Sequence, residues 1–284
     1  MQPYTLTGFA DEAGFTAEEQ IEALASNEIF YMEARTIDGK NILDLSDDEL
    51  AVIKKKLDTK NFRVSAIGSP IGKTLLADPF DNVLKKFDRA VCAAKILDAK
   101  FIRGFSFYIP KDAPHETFAD EVVSRLLELS AVCKKNGLVY ALENESGIFT
   151  DIPERCAYVL ERVGSPSFGL AFDPANFINN NAEPFPEAFG LLKQYILYFH
   201  IKDGTVIDGV YHNRAAGEGS GQIAAMLKAA FDGGFKGFLS IEPHLAAGYR
   251  SIDPTIFQKK AETSAELFTL AANALKKVLK DIGM

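Results

Sequence analysis

The sequence is poor in residues that build cross-links or cysteine metal sites. It has no tryptophan, three cysteines and four histidines in 284 residues. Cys92, Cys133 and Cys156 are odd in number, far apart and without metal-ligand spacing, which argues against a disulfide framework and a cysteine zinc site. Each lies in an apolar helical pattern, so we expect three buried structural thiols in a reducing compartment.

Basic stretches and long apolar runs are also missing. The net charge is −8 and the pI is about 5.2, so electrostatics gives no support for binding nucleic acid or an anionic membrane. The first residues, MQPYTLTGFADEAGF, do not resemble a signal peptide, and no apolar stretch is long enough to span a bilayer. We therefore expect a cytoplasmic protein. No linker, low-complexity tract or repeat divides the chain, which predicts a single domain over residues 1–284.

What the sequence does contain is a regular alternation of short apolar runs and longer helical patterns. The runs have the near-continuous apolar character of parallel strands that are covered on both faces. We predict eight strands, over residues 4–9, 29–35, 62–68, 100–107, 138–143, 167–172, 196–201 and 237–242. Eight strands alternating with helices favour a closed (β/α)8 barrel, or TIM barrel, over an open doubly wound sheet.

The helices carry their own start signals. Thr16 with Glu19, and Ser46 with Glu49, have the spacing of capping boxes, which satisfy free amides at the first turn. A long helical pattern from about Pro254 closes the chain.

Polar side chains end four consecutive predicted strands. Glu143 ends the fifth, Asp173 follows the sixth, His200 lies in the seventh and Glu242 ends the eighth. Each alone is explained by a helix cap, a solvated loop or a hydrogen-bonded core histidine. In a (β/α)8 barrel all four reach one rim, where three carboxylates would repel one another without a cation. Oxygen ligands with one imidazole suit a divalent ion, Mn²⁺ first, with Mg²⁺, Co²⁺ or Zn²⁺ as alternatives.

Motifs along almost the whole chain match one family in kind and order. They are GFADE near the start, SPIGK at 69–73, LENE at 142–145, FDPANF at 172–177, HIKDG at 200–204, GEGSG at 217–221 and SIEPHL at 240–245. In these motifs the chain resembles the xylose isomerase-like (β/α)8 barrels of the sugar phosphate isomerase/epimerase group. That group includes ketose 3-epimerases and inosose dehydratases.

The resemblance implies roles for individual residues. The ligands of a single divalent metal are implied to be Glu143, Asp173, His200 and Glu242. The two glutamates are implied to act also as the catalytic acid/base pair, and Arg214 is implied to contact substrate. The chain departs from the ketose 3-epimerases at Asn176, where they have a histidine near the substrate. This departure weakens the case for free-ketose 3-epimerisation but leaves the metal site intact.

Further polar residues near the predicted rim are candidates for substrate binding. Lys73 ends the third strand region, Asn176 follows Asp173, and His244 lies two residues past Glu242. A helix-capping or solvated lysine explains Lys73 equally well, and loop packing explains His244 better than a functional role does.

Two pairs of residues are candidates for supporting roles. Lys202 and Asp203 lie two and three residues after His200, so we expect them to orient it. Glu33 and Arg35 end the second strand, where an ion pair is the simplest interpretation. The GEGSG segment lacks the features of a phosphate-binding loop, and we interpret it as a flexible loop at the rim.

Such a site supports proton transfer next to a carbonyl. A metal with open positions polarises a ketone and stabilises the enediolate formed when a carbon-bound proton leaves. We predict an isomerase or epimerase of a small sugar, a sugar phosphate or a polyol-derived ketone. The alternatives are a dehydratase of an inosose- or dehydroshikimate-like cyclic ketone, and a barrel that binds sugar without turnover. A DNA-repair barrel with many histidine ligands does not suit an acidic chain with four histidines. By analogy with the xylose isomerase-like barrels, the C-terminal helix and the apolar rim could support a homodimer.

Overall fold

Eight parallel strands form the centre of the protein. A computed structural model describes residues 2–110, 113–245 and 264–284. The strands are β1 Tyr4–Gly8, β2 Tyr31–Ala34, β3 Arg63–Gly68, β4 Phe101–Gly104, β5 Val139–Glu143, β6 Phe168–Phe172, β7 Ile196–Ile201 and β8 Gly237–Ile241. Hydrogen bonds join them in the order β1-β8-β7-β6-β5-β4-β3-β2, and the two end strands lie side by side. The sheet is therefore a nearly closed barrel, and the predicted (β/α)8 fold is confirmed.

The predicted strands agree with the observed ones to within two residues, except for the fourth. That strand was expected to reach residue 107 but ends at Gly104. Beyond it, the amide of Phe105 donates to the carbonyl of Ile71 at 2.8 Å, and that of Phe107 donates to Gly72 at 2.9 Å. The apolar run continues past the strand because it packs against the loop that follows β3.

Helices lie between the strands and cover the outer face of the sheet. They are α1 Ala17–Ser26, α2 Asp47–Thr59, α3 Phe80–Ile96, α4 Ala119–Lys135, α5 Pro153–Val163, α6 Pro174–Asn179, α7 Phe189–Leu192, α8 Ile223–Asp232 and α9 Ser264–Asp281. Both predicted capping boxes are present, at Thr16 and at Ser46. Pro254, the predicted start of the last helix, lies outside the described residues. None of the described helices has the length and apolar character needed to cross a membrane.

The barrel interior is apolar at one end only. Near the amino ends of the strands, the ring of Phe238 lies 5.1 Å from that of Tyr31 and 6.4 Å from that of Phe101, between centroids. Because side chains alternate along a strand, residues two positions later point into the same interior, closer to the carboxyl ends. That alternation brings Glu33, Arg103 and Ser240 inside, where all three are buried.

Two sequence predictions need correction. Cys133 and Cys156 are buried as expected, but Cys92 is only partly buried. It faces Asp47 at the exposed start of α2, where its thiol lies 3.4 Å from the carboxylate. In addition, β7 runs almost directly into an antiparallel hairpin, Asp203–Ile207 with Val210–Arg214, which was not predicted.

Candidate metal centre

Four side chains converge at the carboxyl ends of β5 to β8. Glu143 is the last residue of β5, Asp173 follows β6, His200 lies in β7 and Glu242 follows β8. Each offers one ligand atom, and these atoms all lie within 4.8 Å of one another. All four residues are buried. The predicted ligand set is thus brought together in space, with three oxygen donors and one imidazole.

Carboxylates are crowded around this group. Four buried carboxylates (the three candidate ligands and Glu33) lie near the buried cations Arg103 and Lys202, and Arg35, which contacts Glu242, is shared with Asp11 and Glu12. Like charges in a buried space repel one another, and a bound cation relieves this repulsion. Three oxygen donors and one imidazole suit a divalent ion, so the residues present fit one.

Unpartnered atoms lead to the same conclusion. Glu143 Oε2, Asp173 Oδ2 and His200 Nδ1 are buried and make no hydrogen bond. Two of these atoms do have a cation within ion-pair distance, since Arg103 Nε lies 3.1 Å from Glu143 Oε2 and Lys202 Nζ lies 2.7 Å from Asp173 Oδ2. Buried polar atoms are nearly always hydrogen-bonded, so this concentration at one point marks a site for a ligand or ion.

Burial and neighbouring charges shift the ligand pKa values in different directions. Burial raises the pKa of Glu143, but His200 and Arg103 outweigh it and hold the pKa at about 2. Burial raises the pKa of Asp173 to about 6, against the attraction of Lys202. Burial lowers the pKa of His200, yet Glu143 and Glu33 outweigh it and raise this pKa well above its usual value. The imidazole is therefore protonated at neutral pH when no metal is bound.

Two arginines hold the two glutamates, and sequence reasoning missed both contacts. Arg103 pairs with Glu143, and Arg35 Nη1 lies 2.8 Å from Glu242 Oε1. Both guanidinium groups lie over the ring of Phe9, at 5.4 and 4.5 Å from its centroid. The ion pair expected at Arg35 exists, but its partners are Asp11, Glu12 and Glu242 rather than Glu33. The sequence did contain a signal for these positions. Arg35 lies four residues after Tyr31, and Arg103 lies two residues after Phe101. Because alternate residues of a strand point to the same side, this spacing predicts that both arginines point into the barrel interior.

A second acidic group lies beside the first. Glu12, Glu242 and His244 also offer ligand atoms within 4.8 Å of one another. The guanidinium of Arg35 already contacts both carboxylates, at 3.4 Å for Glu12 and 2.8 Å for Glu242. His244 Nδ1 lies 2.8 Å from Glu12 Oε1. The positive charge that a second metal would bring is therefore supplied by side chains.

Comparison with known proteins agrees with this fold. The family model described as xylose isomerase-like TIM barrel matches residues 10–283. The chain belongs to the xylose isomerase-like TIM barrel family. A search of curated proteins found no match.

Solved structures show the same barrel at low sequence identity. The IOLI protein "with a binding zinc atom" is 19% identical, with a TM-score of 0.78 and coverage of 99% of this chain and 100% of that one. An L-ribulose 3-epimerase is 16% identical, with a TM-score of 0.74 and coverage of 98% and 95%. A probable 3-DHS dehydratase, AsbF of Bacillus anthracis, is 16% identical, with a TM-score of 0.74 and coverage of 96% and 98%. At these identities the likeness establishes the shared fold.

In this xylose isomerase-like barrel, Asn176 contacts a ligand residue. Its backbone amide donates to Asp173 Oδ1 at 2.9 Å, which caps α6. Its side-chain amide donates to Glu143 Oε1 at 3.2 Å and to the carbonyl of Asn144 at 2.9 Å. Asn176 thus orients Glu143, and its predicted contact with substrate stays a prediction.

A small cavity opens beside Glu143 and Glu242. Its volume is about 160 Å³, and its lining includes Lys73, Arg103, Lys202 and His244. At ~30 Å³ per water this space holds about five waters, which suits a small polar molecule. Lys73 Nζ lies 2.7 Å from Glu145 Oε2 and 4.3 Å from the centroid of the Phe105 ring. Lys73 and His244 therefore line this cavity, and their contact with substrate stays a prediction.

Arg214 lies at the end of the hairpin, away from this lining. Within the described residues it is not among the side chains that border the cavity. Its Nη1 donates to the carbonyl of Asn213 at 2.8 Å, and its backbone pairs with Asp203 in the hairpin register. A substrate contact through Arg214 stays a prediction.

Lys202 and Asp203 have partners other than the one expected. Lys202 lies between two ligands, 2.7 Å from Asp173 Oδ2 and 3.4 Å from Glu242 Oε2. Asp203 accepts hydrogen bonds from four backbone amides, those of Gly204, Gly217, Gly219 and Gly221. Lys202 therefore positions the candidate ligands Asp173 and Glu242, and Asp203 anchors the rim loop, rather than the two residues orienting His200.

The GEGSG loop is anchored, which corrects the expectation of a flexible segment. Three of its amides converge on one buried carboxylate. A Cβ at Gly219 would overlap that carboxylate and the backbone of Gly204, so only glycine allows this approach. The loop fixes one wall of the rim above β7.

Proposed function

We propose that this protein is a divalent-metal-dependent isomerase or epimerase of a small sugar, a sugar phosphate or a polyol-derived ketone. The observation that carries the proposal is the convergence of Glu143, Asp173, His200 and Glu242 within 4.8 Å of one another at the barrel mouth. The crowding of buried carboxylates at this point supports a divalent ion. Mn²⁺ remains our first choice, and the zinc in the IOLI structure makes Zn²⁺ its main competitor.

A divalent ion at these residues would polarise a substrate carbonyl and stabilise the negative charge that develops when a neighbouring carbon loses its proton. The proton itself needs a carboxylate acceptor. Glu143 and Glu242 border the cavity and come from strands that are separated by two others, so they approach a substrate from different directions. Removal by one and return by the other gives epimerisation. Return of the proton to the adjacent carbon gives isomerisation.

Lys202 supports a second candidate, a dehydratase of a cyclic ketone. Burial lowers its pKa, but Asp173 and Glu242 outweigh this effect and raise the pKa well above its usual value. Lys202 is therefore a permanent cation on the cavity wall, and it can donate a hydrogen bond to a hydroxyl on the carbon next to the deprotonated one. The carboxylate that took the carbon-bound proton gives it to that hydroxyl, which leaves as water. The fold is shared with a probable dehydratase as well as with an epimerase.

The experiment that tests both candidates is proton NMR in D₂O. The metal-free protein is supplied with Mn²⁺, Mg²⁺, Co²⁺ or Zn²⁺ and given a panel of ketoses, ketose phosphates and inososes, with a chelator control. We expect metal-dependent exchange of one C–H next to the carbonyl. A new sugar identifies an isomerase or epimerase, and an enol or alkene with loss of water identifies the dehydratase.

Two results contradict the proposal. A protein that binds none of the four ions has no metal centre. A protein that binds metal and sugar but exchanges no proton is a binding barrel without turnover.

A further inference from the structure

A fourth carboxylate lies inside the barrel directly below the candidate metal centre. Glu33 of β2 is 1% exposed. Its Oε1 accepts a hydrogen bond from Tyr198 Oη at 2.9 Å and lies 3.4 Å from His200 Nε2. Its Oε2 accepts from Ser240 Oγ at 2.6 Å. Both carboxylate oxygens are therefore engaged by residues of β7 and β8, across the barrel from β2.

The surroundings of Glu33 make a space-filling role a poor explanation. Its partners within hydrogen-bond distance are two hydroxyls and an imidazole, and burying a carboxylate is costly. An apolar side chain at position 33 would avoid that cost but would leave these three buried donors without their acceptor. The carboxylate therefore serves the donors of β7 and β8 rather than filling space.

The backbone of β2 is adjusted at this residue. Its register with β3 shifts between Met32 and Glu33, so that Met32 pairs with Val64 and Glu33 pairs with Ala66. Such irregularities often redirect a side chain next to a functional site. Here the side chain beyond the shift contacts the imidazole of a metal ligand.

His200 has two ring nitrogens with different surroundings. Nε2 faces Glu33, whereas Nδ1 lies 3.4 Å from Glu143 Oε1 and 3.5 Å from Glu242 Oε2. Nδ1 is buried without a hydrogen bond. The ring of Phe9 packs edge-on against the imidazole, 5.3 Å between centroids, which restricts its rotation. The nitrogen that faces the other ligands is therefore Nδ1.

We propose that Glu33 is the positioning residue of the metal centre: it accepts the Nε2 proton of His200 in a hydrogen bond and so presents Nδ1 to the ion. This inference rests on the metal site of the proposed function. A metal-binding imidazole commonly donates its other N–H to a carboxylate, which fixes the tautomer and makes the ligating nitrogen a better donor.

The first test measures metal affinity. Zn²⁺ and Co²⁺ dissociation constants are determined by chelator competition for the wild type, Glu33→Gln and Ser240→Ala. Glu33→Gln keeps the shape but removes the charge, and we expect it to weaken binding by about 10–100-fold. Ser240→Ala is the matched control, because it removes a buried donor to Glu33 and leaves the contact with His200. Its affinity is expected to stay close to that of the wild type.

The second test follows the two ring nitrogens of His200, on which a merely structural role of Glu33 would have no effect. ¹⁵N NMR of the histidine-labelled wild type and Glu33→Gln identifies the ring whose signals move when Zn²⁺ is added. In the wild type we expect Nδ1 to bind the ion and Nε2 to keep its proton, and in Glu33→Gln we expect the Nε2 signal to change. Binding through Nε2, or equal affinities for the wild type and Glu33→Gln, would overturn the inference while the metal site stands. A wild type that binds no metal overturns both.

Discussion

The two faces of the same eight strands contribute different things to this protein. On the outer face, apolar side chains pack against the helices: Phe87 of α3, for example, is fully buried and lies 5.9 Å from the ring of Tyr140 in β5. On the inner face at the carboxyl ends, the buried residues include Arg103, Glu143 and Glu242. Burial of apolar area stabilises a fold, whereas burial of charge opposes it. Stability and chemistry therefore reside on opposite sides of one sheet.

The largest effect is expected from the inner face. Glu242→Gln removes one of the two predicted proton carriers and one ligand charge, while the side chain keeps its size. We expect C–H exchange by the metal-loaded protein to fall by about 10²–10⁴-fold, the usual contribution of general acid–base catalysis. Far-UV circular dichroism should not change.

Glu128→Gln is the control for this substitution, because it removes a carboxylate from the exposed face of α4. It should leave the rate unchanged. If Glu242→Gln kept its activity, Glu242 would not be a proton carrier, and the proposed difference between the two faces would be wrong.

A substitution on the outer face should lower the stability of the fold and leave the exchange rate unchanged. Phe87→Ala leaves a cavity between α3 and the sheet, and we expect it to lower the free energy of unfolding by about 3–5 kcal/mol. The exchange rate per folded molecule should not change, because the inner face keeps its residues. Urea unfolding and the NMR exchange assay measure the two quantities on the same samples.

Phe87→Leu keeps most of the buried volume and should lie between the wild type and Phe87→Ala in stability. If the rate per folded molecule fell with either variant, the two faces would be coupled.

The smallest expected effect is the release of a proton from the inner face when a metal binds. The pKa of His200 is raised well above its usual value by Glu143 and Glu33, so the metal-free protein carries a proton there at pH 7 that a bound metal displaces. We expect about one proton released per ion, and an affinity that rises up to about tenfold per pH unit until the pH passes this pKa. Below about pH 6, the proton on Asp173 must also leave, so the dependence steepens.

Isothermal titration calorimetry in two buffers of different ionisation enthalpy counts these protons. A binding enthalpy at pH 7 that does not depend on the buffer would contradict the raised pKa of His200.

The strands and the four candidate ligands were accessible from the sequence because two local rules apply to them. Buried parallel strands are continuous apolar runs, and the polar residues at their carboxyl ends share one rim. Glu143 and Glu242 follow directly from these rules. The rim hairpin does not follow from these two rules, but it has a local signal of its own: Asp208 and Gly209, both at positive φ, form the two-residue turn between its strands.

The roles of the supporting residues depended on three-dimensional distances. Glu33 lies in β2 and Arg35 directly follows that strand, so their sequence positions suggested a common ion pair. In the barrel, however, Arg35 reaches across to Glu242, while Glu33 lies beneath His200. Similarly, Asp203 neighbours Lys202 in sequence, yet its carboxylate binds the amides of a loop that begins 14 residues later.

By itself, the sequence determined the class of fold and the set of side chains that could hold a metal. The reason is that strand patterns and the polar residues at strand ends are local features, which can be recognised from neighbouring residues. Only the tertiary structure decided which charged side chains contact each other and which nitrogen of His200 faces the other candidate ligands. It also decided that the apolar packing and the proposed chemistry lie on opposite faces of the sheet. These depend on contacts between residues that are far apart in the sequence, such as that of Arg35 with Glu242, 207 residues later. Closing the barrel is what brings such residues within a few ångströms.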